Sequence, residues 1–488
     1  ECRLVAEDIY VRNTIFGVSS EIQIECIPFG SKLGGHRSYL IENLPLSFLR
    51  KYYDEITEGD VSVGISNVFV FKHNDTLVVE KDAEIMIKEL RSLQVSWPMN
   101  PNYIFRRRIL AFVISTSDVQ NRYSSSVLFP YLFGNDQVSM KSQFEACSGG
   151  KLRMEPILGG VADVTLSKTM MQYSPREAAF EAMEIFENKY GIDNLESFVD
   201  SILFCLPPGM ASFAASATTN HYRSIYNDKN CVRLSVLMHE IGHNIGLGHA
   251  SKNGNPYADI TGYMGRSERQ IGAPQKCFNA AQHWQLGWYA DHSMDWKVDF
   301  SPPRILKLAS FVDYKFLRDK SAVVIINLAD KLFLQLNSAK SFNVGTGDYQ
   351  NMVTITEKEN SNVVDGLDAV FHSRFELGGF DAAGNTLVIE MCDFIKEGDG
   401  DIDVAVLSIG VESSVCESYH SQFDPPTDVP TTRAPTHAPT RAPTSGHRND
   451  YSSFQKHISR TKSSVRGTYG SDSFHSSSLQ SNSDFHGL

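Results

Sequence analysis

Ser235-Val-Leu-Met-His239-Glu240-Ile-Gly-His243-Asn-Ile-Gly246-Leu-Gly-His249-Ala250 is the stretch on which the reading of this 488-residue chain turns. His239 and His243 are four positions apart, so on a helix they share one face, about 40° from each other. Two imidazoles placed that way can approach one metal ion. Glu240 follows the first histidine and can reach a water at that ion. Gly246 can take a left-handed conformation and end the helix. The chain can then turn and deliver His249 as a third ligand. Three neutral nitrogens leave a fourth position open, the arrangement of a catalytic rather than a structural zinc site. Zinc lowers the pKa of water toward ~7, and Glu240 can take the proton. The five fixed positions would arise by chance in roughly one in 10⁴ chains of this length. The plain alternatives are an amphipathic helix with histidines on its polar side, or a folded site that no longer binds metal.

Working outward, Met264 lies 15 residues past His249 in the Gly-flanked segment Gly262-Tyr263-Met264-Gly265. Further on comes Cys277-Phe-Asn-Ala-Ala-Gln-His-Trp-Gln-Leu-Gly-Trp-Tyr289. Together with the histidine stretch, these segments resemble the gametolysin-type metalloproteases, secreted algal members of the metzincin group. Weaker matches are Cys147-Ser-Gly-Gly-Lys-Leu152 and Cys205-Leu-Pro-Pro-Gly209, so the resemblance covers about 105–295. It implies zinc-dependent cleavage of peptide bonds in extracellular or cell-wall proteins, by a catalytic domain with its active-site helix at the floor of a cleft. It also implies that Met264 supports the metal site from below. Some metzincins use a tyrosine after that methionine as an oxyanion donor. Here Tyr263 precedes it, and a buried core tyrosine is the reading taken. Several metzincins hold a pro-segment cysteine at the open metal position. Cys26 is the candidate for such a latency thiol, against the alternative of a disulfide or a plain buried thiol.

The expected fold is α+β. A metzincin-like domain with a twisted mixed sheet and an active-site helix occupies 106–298. A small α/β N-terminal region, a candidate pro-segment, precedes it over 1–105. A β-rich module follows over 299–420, then a Pro/Thr-rich linker over 421–446 and a Ser/His-rich disordered tail over 447–488. The apolar, β-branched run Arg108–Ser115 reads as a buried strand, and Pro175–Tyr190 has helical spacing. The repeat Arg433-Ala-Pro-Thr-His-Ala-Pro-Thr-Arg-Ala-Pro-Thr444 has too little apolar surface to offset its ordering entropy.

Net charge is -12, which argues against a nucleic-acid partner, since phosphate binding wants a basic face. The longest apolar runs, Ile109–Ile114 and Ile202–Leu206, are strand-sized, well short of the ~18–20 residues of a membrane span. Eight cysteines and a Pro/Thr stalk suggest a secreted protein with disulfides, whose connectivity is open among about 105 pairings. Asn74-Asp-Thr76 is a glycosylation sequon. Arg106-Arg107-Arg108 offers a processing site after Arg108, or simply opens the following strand. Glu397-Gly-Asp-Gly-Asp-Ile-Asp403 resembles a calcium loop but lacks the full twelve-residue pattern, so an acidic turn competes with it.

The function expected is a secreted zinc endopeptidase acting on a protein or glycoprotein substrate of the extracellular matrix or cell wall. The alternative is a catalytically silent cell-surface or matrix binding protein on the same scaffold. An intact Glu240 favours the enzyme, because a scaffold needs no general base.

Overall fold

The computed structural model describes residues 104–423 apart from 136–137, 254, 266–273, 298–299, 319–321, 369–372 and 398–400, together with strand segments and some connecting residues between 2 and 90. These residues lie in one compact unit, Glu1–Pro426. The architecture is α+β, with three sheets among the described residues.

The N-terminal strands are β1 (Cys2–Asn13), β2 (Gly17–Pro28), β3 (Tyr39–Glu42), β4 (Val61–Ile65), β5 (Val68–Phe71), β6 (Thr76–Val79) and β7 (Ile85–Leu90). Next come β8 (Phe105–Ser115), β9 (Leu152–Thr165), β10 (Ser201–Leu206), β11 (Ala215–Thr218) and β12 (Arg223–Asn227). They form one mixed sheet in the order β5-β6-β3-β2-β1-β11-β12-β10-β8-β9, with β4 on β1 and β7 on β4. Strands β9, β8, β10 and β12 run parallel, and β11 runs antiparallel to β12. The N-terminal region therefore extends the same sheet, because β1 adds antiparallel to β11.

Four helices pack around the central strands: α1 (Ser125–Phe133), α2 (Met140–Cys147), α3 (Pro175–Tyr190) and α4 (Leu234–Asn244). Alternate residues of β8 explain its unbroken apolar run. Leu110, Phe112 and Ile114 share a core with Ala179, Met183 and Phe186 of α3. Ile109, Ala111 and Val113 share one with Leu237, Met238 and Ile241 of α4. Both faces of the strand are covered, so neither set of side chains can be polar. Helix α3 starts with a Ser174/Glu177 capping box and Pro175, and stops at Gly191 in a left-handed conformation.

Strands β13 (Ser251–Lys252), β14 (Asn255–Pro256) and β15 (Ser293–Trp296) follow α4, with helix α5 (Ala280–Leu286) between them. The C-terminal strands are β16 (Arg304–Ala309), β17 (Ile325–Leu328), β18 (Leu332–Asn337), β19 (Met352–Glu357), β20 (Val363–Leu367), β21 (Arg374–Leu377), β22 (Leu387–Glu397) and β23 (Ile402–Val411), closed by helix α6 (Cys416–Phe423). A seven-stranded sheet in the order β14-β13-β20-β19-β18-β17-β15 spans both sides of residue 298. A four-stranded sheet, β16-β23-β22-β21, packs behind it.

Four disulfides join Cys2–Cys26, Cys147–Cys277, Cys205–Cys231 and Cys392–Cys416, and no described cysteine is free. Cys26 thus corrects one expectation: its sulfur is bonded to Cys2, and a disulfide sulfur offers no thiolate to a metal. Arg108 corrects another. It sits inside β8, opposite Glu155 of β9, its carbonyl accepts from Asp200 N–H, and its backbone N–H and guanidinium both donate to the Asp200 carboxylate. A protease needs an extended, accessible segment, which a central strand is not. The buried Arg107 donates to Asp200 O, Ser201 Oγ and, at 3.0 Å, Asn244 O at the end of α4. Burial draws its pKa down to about 10. In the acidic stretch 397–403, residues 398–400 lie outside the described residues, and the Asp403 carboxylate is held by Lys340 and Lys396. Asn74 and everything from 424 onward lie outside the described residues.

A buried ionic cluster joins the N-terminal region to the central strands. Arg223 of β12 bonds both oxygens of Glu25 at 2.7 and 2.8 Å and reaches Glu7, while Arg176 at the start of α3 contacts both glutamates. Burial opposes the charge on Glu25, but Arg223 and Arg176 outweigh it and hold its carboxyl well below the usual range. Glu7, buried beside Glu25, is pushed up.

Three outcomes follow from this frame. Arg223→Met should lower stability by about 3–5 kcal/mol, because it strands buried carboxylates. Adding Glu25→Leu should restore part of that loss. Urea unfolding of the two variants and the parent measures it, and a single-variant loss under about 1 kcal/mol would show that the cluster contributes nothing. In native limited trypsinolysis the bond after Arg108 should survive, and a new N-terminus at Ile109 would contradict the strand placement. His283 on α5 is fully buried against Gln335, and burial lowers its pKa to about 4. Its folded pKa lies below the unfolded value near 6.5, so its contribution is complete above pH 6.5. That contribution should decline by about 1.4 kcal/mol per pH unit down to pH ~4. Unfolding of His283→Gln across that range should show a shallower slope than the parent, and an identical slope would reject the assignment.

Candidate metal centre

Helix α4 is buried along its whole length, which fixes the orientation of every side chain it carries. The helix closes with two bonds past its end: Gly246 N–H donates to His243 O and Leu247 N–H to Gly242 O, both at 2.9 Å. This closure needs a left-handed residue at Gly246, whose φ is 93°. A Cβ there would also meet Asn220 Oδ1 at 2.6 Å. The turn sends the chain back across the helix end, and His249 arrives beside the two helical histidines.

The ring centroids of His239 and His243 lie 4.8 Å apart, and His249 lies 5.4 and 4.9 Å from them. One nitrogen from each of the three falls within 4.8 Å of the others. The Nδ1 atoms of His239 and His243 are each 2.8 Å from a carbonyl oxygen, of Tyr263 and Leu247 respectively. A carbonyl only accepts, so each Nδ1 carries the proton and each Nε2 presents a lone pair. Those two Nε2 atoms face each other at 3.2 Å. Two lone pairs at that distance repel unless a cation lies between them. Two nitrogens each 2.0–2.1 Å from one tetrahedral ion would be roughly 3.3 Å apart. The His239–His243 pair therefore fits zinc in both chemistry and spacing, with a nitrogen of His249 within 4.8 Å of it.

Glu240 is 1 % exposed on the same helix. Its charge reaches Tyr226, whose pKa is driven well above the usual value first by burial and then by that carboxylate. Met264 is fully buried beneath the helix, and a Cβ on Gly242 would lie 2.3 Å from its Sδ. The methionine segment thus sits in the gap left by a glycine between the two histidines' turns. The same segment supplies Tyr263 O to His239 and Met264 O to Ala250 N, next to His249. Tyr263 donates its hydroxyl to Pro274 O and accepts from Lys276 N, as a core residue.

Three contributors carry no motif of their own in the sequence. Asn220 N–H donates to His243 O at 3.0 Å, and Arg107 donates to Asn244 O, the last carbonyl of α4. Tyr257 stacks against His249 with ring centroids 4.1 Å apart and against His239 at 5.9 Å. Within the sequence, Tyr257 has only a turn-forming Asn-Gly-Asn-Pro context, which says nothing about its ring.

Comparison with known proteins agrees with this geometry. Residues 117–297 match the model of the gametolysin peptidase M11 family. A 94-residue segment is 35% identical to autolysin of Chlamydomonas reinhardtii, covering 18% of this chain and 14% of that relative. The chain thus spans about a seventh of the curated relative it matches. Residues 117–297, which hold the three histidines, Glu240 and Met264, are thus the part of the chain that is similar to the gametolysin peptidase M11 family.

Proposed function

We propose that this chain is a secreted zinc-dependent endopeptidase that cleaves proteins of the extracellular matrix or cell wall. The observation that carries the reading is the meeting of two lone-pair nitrogens, His239 Nε2 and His243 Nε2, at 3.2 Å with His249 beside them. His239, His243 and His249 would hold the ion, which when bound supplies Lewis acidity to a peptide carbonyl and to water. Glu240 is the general base: it takes a proton from the attacking water and returns it to the leaving amine nitrogen. Its burial keeps bulk water from competing for that proton. Met264 supports the helix face that presents the histidines. Four disulfides suit a secreted protein. The family match supports a peptidase, and the relative's name, autolysin, supports a wall-type substrate.

Residues 1–105 remain our candidate pro-segment, by a different device from a thiol. Strand β1 lies along β11 with Glu7 opposite Thr218 and Tyr10 opposite Ala215, and Thr219 N–H donates to Ala6 O. An edge strand covered in this way cannot accept an extended peptide.

The purified chain should contain about one zinc and hydrolyse an unstructured protein substrate, with activity lost to a chelator and restored by zinc. Glu240→Gln should keep the zinc and lose at least 10²-fold in kcat. Zinc bound without turnover by the parent chain, intact or nicked within 1–105, would favour a silent binding protein. No zinc at all would reject the histidine site. Met264→Ala should leave a cavity and lower stability by about 2–5 kcal/mol while sparing the ligand set. A thermal unfolding scan with zinc content measured in parallel checks this, and unchanged stability would remove Met264 from its supporting role.

A further inference from the structure

We infer that Tyr257 is a positioning residue of the candidate metal centre: its aromatic ring is the wall that fixes the imidazole of His249. The inference rests on the reading of His249 as a ligand. Helix α4 sets His239 and His243, and carbonyl oxygens orient both rings. His249 comes after the helix has ended and is less deeply buried than they are. A ligand on such a segment needs a surface to lie against if its nitrogen is to stay aimed.

The chain builds that surface locally. Directly after His249 and Ala250, β13 and β14 form a two-rung hairpin, with Ser251 opposite Pro256 and Lys252 opposite Asn255. Tyr257 leaves the hairpin at the rung next to Ala250, which returns its ring to His249. The hairpin is itself anchored. Lys252 pairs with Val363 of β20, Ser251 Oγ bonds Asn362 Oδ1, and Lys252 Nζ bonds Asp348 at 2.9 Å. The resulting ring-to-ring distance is 4.1 Å at a tilt of 44°, and Tyr257 also lies nearly parallel to His239 at 21°.

The backbone supplies a second, independent observation. Tyr257 has φ 80°, in the left-handed region that a bulky residue adopts only at a cost. Glycine or asparagine would suit that turn better. A tyrosine held there, 7 % exposed, over two of the three histidines, is a strained residue kept for what its ring contacts.

Tyr257→Gly removes the ring, and relief of the backbone offsets only part of the stability lost with it, so the apo protein should unfold below the parent but stay folded at the temperature of the titration. Its affinity for Co2+, read by competition with a chromophoric chelator, should nevertheless fall ~10–100-fold, the cost of losing a supporting contact behind a ligand. The visible absorption of the Co2+ complex should change as well. Tyr257→Phe keeps the ring, so its affinity should stay within about 3-fold of the parent and its spectrum should be unchanged. His249→Ala gives the reference for a lost ligand. Parent-like Co2+ affinity in Tyr257→Gly would overturn the proposal. A loss in Tyr257→Phe equal to that in Tyr257→Gly would also overturn it, since the hydroxyl and not the ring would then be at work. Failure of the parent chain to bind Co2+ at all would instead sink the metal reading beneath it.

Discussion

Two imidazole nitrogens 3.2 Å apart inside a protein core are the constraint around which this molecule is arranged. Neutral imidazole can turn either nitrogen inward, and only one tautomer of each ring leaves both lone pairs facing a shared ion. The choice is made by Tyr263 O and Leu247 O, which accept the Nδ1 protons. Both carbonyls lie outside the regular part of helix α4. The histidine spacing alone therefore does not make the site. It needs the left-handed turn at Gly246 to bring Leu247 O back, and the Met264 segment to bring Tyr263 O beneath the helix.

That second segment depends on much of the rest of the chain. Asp259 bonds Thr261 and Asn279, and burial raises its pKa even though Thr261 and Asn279 oppose the shift. The Cys147–Cys277 disulfide ties the same loop to α2. From the C-terminal side, Asn343 Oδ1 accepts from Cys277 N, Thr346 Oγ1 donates to Thr261 O and Gly347 N to Ile260 O. The β-rich module is thus a structural partner of the metal loop through residues 343–347. Hairpin β13–β14 makes the same dependence visible at His249, since both of its strands belong to the seven-stranded sheet and β13 pairs directly with β20.

Periodicity made some elements legible. The run at Arg108–Ser115 and the spacing over Pro175–Tyr190 correspond to β8 and α3, since burial on both faces or on one leaves a direct trace in residue type. The stop at Gly246 was legible because a glycine at a helix end has few other purposes. Long-range pairing left no such trace. Nothing in Cys2-Arg-Leu-Val marks it as a strand that will add to β11, and nothing at residue 298 marks the sheet that crosses it. Arg107 and Tyr257 were illegible for the same reason. Their roles rest on partners 137 residues away at Asn244 O and eight residues away through a hairpin register, and neither partner is encoded in the residue itself. Cys26 was open in the sequence because a cysteine ahead of a zinc motif suits two chemistries, and the pairing with Cys2 decides between them.

The N-terminal strands then raise a question of energy. A thiol latch would be a single strong bond to the metal, released when one residue leaves. Here the N-terminal region is joined by a backbone ladder and by four arginine–glutamate contacts in one buried cluster, and Arg223 is 1 % exposed. Withdrawing Glu25 would leave a guanidinium in a dry site, at a cost of several kcal/mol unless water or another carboxylate replaced it. Release by simple dissociation after a nick is therefore disfavoured. The glutamates must be displaced by solvent entering the site, protonated, or exchanged for other anions. Thr219 bonds Ala6 on one side while its neighbour Asn220 bonds His243 on the other, so displacement of β1 would be felt within two residues at a candidate ligand. Any latency in this chain is accordingly a property of strand pairing and buried charge, coupled to the metal centre through the Thr219–Asn220 peptide.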